Sequence, residues 1–329
     1  MLHLNSSLFA DTISQSDLAV HSFDLLGRRI VFATNMHEHL HDFLRSFEHW
    51  RVEGGSASDI YVYALHLDEW PAPLRPYRLD EDAFWGQFGL FDADMNSYYR
   101  LNVKSRELGV EALFHAFEWA AHKMTLEAGC RMMHAAGLAY KGQGIALVGD
   151  AGSGKSTLST TLMQEPQWSI LSDDKLIFVP NNERDVNIHS YSRRVRIGAA
   201  YQDIGGDVLW DSNQVGHPAS SSIEAWVDGR ARKSAVLVPL GKFVTKSPLR
   251  LIMFTSVHPL VETPRIKRLS PDEAHRLLLL NELSISGRLP TSDQAILNAS
   301  DIPAYIVLMG LDVTQNAEQI ARLAASVLA

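Results

Sequence analysis

Gly144-Ile145-Ala146-Leu147-Val148-Gly149-Asp150-Ala151-Gly152-Ser153-Gly154-Lys155-Ser156-Thr157-Leu158-Ser159-Thr160-Thr161-Leu162-Met163 is the stretch that sets the fold class of this 329-residue chain. It opens with a short apolar run bounded by glycine, the pattern of a strand buried on both faces. It closes with Leu158, Leu162 and Met163 at helical spacing, so a following helix carries one apolar face. Between them lies G-x-x-x-x-G-K-[ST], filled by Gly149 to Ser156 with Thr157 behind it. The glycines let a loop turn tightly and aim its N–H groups at a polyphosphate. Lys155 supplies an ammonium for the β/γ-phosphates, and Ser156 a hydroxyl for a phosphate-bound Mg²⁺. The helix adds its positive N-terminal end to the same anion site. The stretch therefore predicts an α/β fold and a P-loop nucleotide site made of Gly149, Asp150, Ala151, Gly152, Ser153, Gly154, Lys155, Ser156 and Thr157.

Downstream, Ser169-Ile170-Leu171-Ser172-Asp173-Asp174 reads as an apolar strand ending in two carboxylates. The C-terminal end of the strand neighbouring the loop strand is where ligands bind in an open α/β sheet. One such Asp assists Mg²⁺ in most P-loop NTPases, and a second is suited to take a proton from a hydroxyl nucleophile. Successive strand residues point to opposite faces, so the two act together only if the backbone turns there. Upstream, Met133 to Tyr140 reads as a strand that turns at Lys141-Gly142-Gln143-Gly144 into the loop strand, a hairpin expected at a sheet edge.

His134, the glycine loop and Ser172-Asp173-Asp174, in that order, resemble the catalytic core of the HPr kinase/phosphorylase family. The nucleotide fold of that family is shared with phosphoenolpyruvate carboxykinases. The resemblance implies an ATP- and Mg²⁺-dependent kinase that transfers the γ-phosphate to a Ser/Thr hydroxyl of a peptide or protein. It implies His134 near the γ-phosphate, Lys155 in the catalytic set, Asp173 as the base, and Asp174 with Ser156 on the metal. It covers residues 130–180, and the rest of the second part in outline. No Ile-Arg-Gly-type signature follows, and the first 105 residues are unlike the family's N-terminal domain. The expectation is therefore an HPr-kinase-like serine kinase rather than a carbon-catabolite regulator. Relatives of this kind include kinases of small biosynthetic peptides, such as lasso-peptide precursors. HPr-kinase relatives are commonly oligomers, which makes a homo-oligomer an expectation here too.

Away from the loop, residues 1–105 read as an α+β domain suited to holding a substrate, and 106–329 as the kinase domain. The first part has strands at Arg29–Ala33, Asp59–Leu65 and Tyr98–Val103 and a helix over Glu38–Trp50. Prolines 71, 73 and 76 interrupt it, and a helix follows from about Glu107 to Leu126. In the second part, strands are expected at Leu251–Phe254 and Ala304–Met309, with helices over Asp272–Leu283 and Gln315–Leu328. Residues 180–235 lack periodicity and read as loops. They hold the densest basic cluster near the acidic pair, Arg193, Arg194 and Arg196, fit for phosphate or an acidic substrate, while Arg230, Arg232 and Lys233 precede the apolar run Ala235–Val238, where one of them is placed to clamp a γ-phosphate. A solvated loop accounts for the first three equally well.

Two other patterns are weaker. His37, His39 and His41 offer only His37 and His41 at the i, i+4 spacing of helical metal ligands. Asp92-Ala93-Asp94-Met95-Asn96 begins like a calcium loop but has Ser97 where glycine is required and no closing Glu.

A net charge of −8 argues against a nucleic-acid partner. No apolar run nears the roughly 18 residues that cross a bilayer, and the N-terminus lacks signal-peptide character. The single cysteine, Cys130, excludes an intrachain disulfide and reads as a packed thiol in a cytoplasmic protein. Two rival activities remain: a small-molecule kinase, and a P-loop ATPase or nucleotide switch. Against the switch, Lys175 follows Asp174 where a water-polarising Glu would stand, and no Leu-Ser-Gly-Gly-Gln signature occurs.

Overall fold

A computed structural model describes residues 17–53, 60–66, 87–92, 97–102, 109–181, 185–198, 233–283 and 294–329. The chain divides into two compact units, Met1–Thr125 and Leu126–Ala329. The boundary expected near residue 105 precedes the long helix Gly109–Glu127; this division falls near that helix's end.

The first unit contains β1 (Ala19–Leu25), β2 (Arg28–Thr34), α1 (Leu40–Ser46), β3 (Arg51–Val52), β4 (Ile60–His66), β5 (Gln87–Asp92), β6 (Ser97–Asn102) and α2 (Gly109–Glu127). Its six-stranded sheet runs β3-β1-β2-β4-β6-β5, with β2, β4 and β6 mutually parallel. Alternation along the strands buries Phe23, Ile30, Phe32, Ile60 and Val62. Rings from the helices complete that core: Phe43 stacks on Phe32 at 4.7 Å, and Phe117 lies 4.2 Å from Phe47. The helix expected over Glu38–Trp50 is three pieces, with 3-10 turns at His37–His39 and Glu48–Trp50 flanking α1. Phe47, at φ −116°, is where the helical path ends and its ring turns into the core. The proline cluster and the Ala93–Asn96 segment lie outside the described residues.

The second unit contains β7 (Arg131–Tyr140), β8 (Gln143–Val148), α3 (Lys155–Leu162), β9 (Trp168–Ser172), β10 (Lys175–Pro180), β11 (Val186–Ser190), β12 (Arg194–Gly198) and β13 (Lys233–Leu237). It continues through β14 (Lys246–Val257), β15 (Arg265–Arg268), α4 (Pro271–Leu280), α5 (Gln294–Ser300), β16 (Ala304–Met309) and α6 (Val313–Val327). An eight-stranded sheet runs β11-β10-β7-β8-β14-β16-β15, with β9 also on β7. Because β11 pairs with β14 as well as β10, the strands β7, β8, β14, β11 and β10 close into a ring. β8, β14 and β16 are parallel, so their C-terminal ends share one edge of the sheet.

Period-two alternation divides the apolar side chains between two faces. Ile145, Leu147, Leu251, Met253 and Val307 pack with Leu158 and Leu162 of α3 and Ile320 and Ala324 of α6. Ala146, Val148, Ile252 and Phe254 instead meet Leu176, Ile188, Leu278 of α4 and Ile296 of α5. The hairpin expected at a sheet edge is interior: β7 and β8 each have partners on both sides, because the ring closes over them. β9 is not the neighbour of β8 either, since β7 lies between them. Within 180–235, read as loop for want of periodicity, β11 is a strand that folds back on β10 and also pairs with the distant β14, and β12 and the start of β13 pair with each other across a long stretch of sequence. Among the described residues no helix is long and apolar enough to cross a membrane.

Candidate functional site

At the end of β8, Val148 pairs with Ala135 of β7 on one side and Phe254 of β14 on the other. The chain then leaves the sheet as the glycine loop. A Cβ at Gly149 would stand 2.6 Å from the Thr255 carbonyl oxygen and 2.8 Å from Ser153 Oγ, so the loop can lie this close to β14 only without one. Gly154, at φ 87°, caps α3 in the left-handed region that glycine adopts at no steric cost. Its Cβ would meet Val257 Cγ2 at 2.9 Å. The hydroxyls of Ser153 and Thr255 stand 3.3 Å apart, pinning the loop from the side. The Lys155 ammonium is folded across the loop, donating to the carbonyl oxygens of Gly149 and, at 3.0 Å, of Asp150. Lys155 is only 6% exposed. A buried ammonium and the N-terminus of α3 therefore meet at the glycine loop.

Across β7 lies the acidic corner. β9 pairs with the second half of β7 and β10 with the first half, both antiparallel. Asp173 and Asp174 are the bend between them, so the backbone does turn at the pair. The turn separates their environments. Asp173 is 2% exposed, while the Asp174 side chain is 39% exposed. Asp174 Oδ1 lies 3.1 Å from His134 Nε2, and its Oδ2 3.1 Å from Lys175 Nζ. His134 and Lys175 are direct partners in the β7–β10 register. The Lys175 ammonium also stands over the Tyr191 ring, 5.8 Å from its centre.

Register relates the loop to the corner. Val148 is opposite Ala135, and the preceding residue on β7, His134, is opposite Lys175. The start of the loop, His134 and the acidic corner thus lie in one row across three strands, about 10 Å from end to end at ordinary strand spacing.

The basic residues divide. Ser192 reaches Ser172 through a 3.4 Å contact between Ser172 Oγ and its carbonyl oxygen, which puts Arg193 beside the acidic corner. Arg193 is 3% exposed, so it is not part of a solvated loop. Arg194 opens β12, its N–H donating to Ser192 Oγ at 3.0 Å. Arg196 pairs with Ala235 of β13. That two-stranded ribbon lies against α3, with Val195 and Val238 in the cluster that holds Leu158 and Leu162. Arg230 and Arg232 fall outside the described residues. In the first unit, His37 Nε2 stands 3.0 Å from the Asp17 carbonyl oxygen. Among the described residues no group of three or more His, Cys, Asp or Glu could hold a metal ion.

Two features were not anticipated from sequence. Arg131 Nε and Glu282 Oε1 form a buried ion pair at 3.0 Å beside His134, whose N–H donates to the Asn281 carbonyl. The signal was a lone arginine opening an apolar strand. His189, on β11, has its proton affinity pushed down to about 4, first by burial and then by Lys246 opposite it.

No protein-family model matches the chain, and no curated protein matches it. Among the solved structures that do match is the HPr(Ser) kinase/phosphatase from Coxiella burnetii. It is 14% identical, with 60% of this chain and 93% of that chain covered, at a TM-score of 0.32. The chain is a mixed α/β protein with a glycine loop and an acidic corner at one sheet edge.

Proposed function

We propose that the second unit is an ATP- and Mg²⁺-dependent phosphotransferase acting on a hydroxyl, most simply a Ser or Thr of a peptide or protein. One observation carries this reading: the row that joins the Gly149–Ser156 loop, His134 and the Asp173–Asp174 corner. A loop that binds polyphosphate and a carboxylate pair about two strand spacings away is the disposition that phosphoryl transfer needs, since the reaction is mostly positioning and charge stabilisation.

In this reading the loop N–H groups, Lys155 and Thr157 hold the polyphosphate, and Lys155 turns from the Gly149 and Asp150 carbonyls to the phosphate oxygens. Magnesium fits a donor set of one hydroxyl and one carboxylate completed by phosphate oxygens, here Ser156 and Asp174, and when bound it neutralises β/γ charge. Asp174 has both oxygens committed to His134 and Lys175, which suits a carboxylate that holds cations in place. Asp173 is then the base. As the acceptor oxygen forms its bond to the γ-phosphorus, the bond to the β–γ bridging oxygen breaks, ADP leaves, and the hydroxyl proton passes to Asp173. His134 and Arg193 stabilise charge on the transferred group.

The test is γ-labelled ATP with Mg²⁺, offered with candidate peptides and host lysate, for the wild type and Asp173→Asn. Label on a discrete peptide or protein, lost in the variant while ATP still binds, is the expected result. Retained transfer in the variant would remove Asp173 from the role of base. Label on a small metabolite, or free phosphate alone, would favour the small-molecule kinase or the nucleotide switch.

A further inference from the structure

The three parallel strands β8, β14 and β16 end at one edge, and the glycine loop leaves from the first of them. On the β7 side of the loop stands the acidic corner. On the other side stand the turns that follow β14 and β16, and each presents an exposed leucine: Leu260, 83% exposed, and Leu311, 69% exposed. A single exposed leucine is ordinary. Two on adjacent turns bordering an anion site are less so, because those turns are built to stay in place. Val257 and Met309, the last residues of the two strands, are register partners, and both border Gly154 at the start of α3. The His258 N–H donates to the Met309 carbonyl at 2.9 Å, and the Leu260 N–H to His258 Nδ1 at 3.2 Å. Asn316 Nδ2 holds the Gly310 carbonyl at 3.0 Å.

Polarity of the ligand follows from this layout. If the reacting end of a nucleoside triphosphate faces the acidic corner, the rest of it leaves the loop on the opposite side, over β14 and β16. We infer that Leu260 and Leu311 form the platform for the nucleobase, the apolar half of a site whose polar half is the glycine loop. This rests on the nucleotide reading above and assigns the part of the ligand that the loop motif does not. A flat base laid on the two side chains takes apolar area out of water on both partners.

The experiment compares two ligands, Mg-ATP and inorganic tripolyphosphate with Mg²⁺, by calorimetric titration of the wild type, Leu260→Ser, Leu311→Ser and Lys155→Ala. The expected result is that each leucine variant binds ATP about tenfold more weakly, the cost of losing most of one buried leucine contact. Tripolyphosphate affinity stays within about twofold, since the loop is untouched. Unchanged ATP affinity in both variants overturns the inference. Equal weakening of ATP and tripolyphosphate overturns it as well, because the leucines would then act through the loop. Failure of the wild type to bind either ligand brings down the nucleotide reading itself, a result separate from the other two. Lys155→Ala weakens both ligands together and marks what loss of the polyphosphate site looks like.

Discussion

The two units solve the same packing problem with different materials. In the first, rings fill the core: Phe23, Phe32, Phe43, Phe47 and Phe117 interlock, and among the described residues no Asp, Glu, Lys or Arg is buried there. In the second, aliphatic side chains and alanines fill both faces of the sheet, yet Arg131, Lys155, Asp173 and Arg193 are all buried. Burying a charge is costly unless neighbouring groups compensate, so a fold keeps one inside for a reason. Arg131 has a structural reason, its pairing with Glu282. The other three lie at the glycine loop or the corner across β7 from it. The contrast separates a unit whose core is packing alone from one that also buries charges, three of them at the residues of the proposed site.

That contrast can be broken by experiment. Its largest expected effect is Lys155→Ala, which should lower phosphotransfer by about a thousandfold or more while leaving circular dichroism and the unfolding midpoint near wild type. A loss of folding that parallels the loss of turnover would make Lys155 a packing residue and erase the distinction. Phe117→Ala is the mirror experiment. It removes a ring in contact with Phe23 and Phe47 and should cost about 3–5 kcal/mol in urea unfolding of the first unit. ATP affinity should not move, and a matched drop in it would join what the comparison separates.

The smallest effect concerns His189, a half-buried group of the second unit that the proposed chemistry does not use. Its folded proton affinity lies near 4, below the ordinary value of 6.5, so between those values the unfolded chain binds the extra proton. Stability contributed by the neutral imidazole is present above about 6.5 and is lost as pH falls toward 4. The loss is at most about 1.4 kcal/mol per pH decade. His189→Gln should flatten that part of the stability profile and leave turnover at neutral pH unchanged.

Legibility in the sequence followed the range of the interactions. The strand, loop and helix from Gly144 to Met163 could be read because the motif and both periodicities are local. The same holds for β2, β4, β6, β14, β16, α2 and α6, which carry strong apolar patterns. β11 folds back on its neighbour β10 and carries only a short local alternation, Val186 and Ile188, whereas β12 was missed because Arg194–Gly198 becomes a strand through a partner far along the chain. The position of β9 across β7 from β8 was out of reach for the same reason. Within the site, residue types were visible but not their environments. Nothing in Asp173-Asp174 as letters says that one is buried and the other exposed, or that Lys175 and His134 both reach the second. Leu260 and Leu311 drew no notice, since an exposed leucine and a buried one are the same letter.

The closed ring of β7, β8, β14, β11 and β10 bears finally on entropy. A glycine-rich loop tethered to a fraying strand would surrender much of its freedom on meeting a ligand, and affinity would suffer by that amount. Here the loop hangs from a strand paired on both sides, is wedged against Thr255 and Val257, and is tied by its own lysine. Most of its disorder is given up when the chain folds. A polyphosphate bound as proposed would meet a loop already ordered except for the Lys155 side chain, which exchanges its carbonyl partners for phosphate oxygens, so the entropy lost on binding would be small.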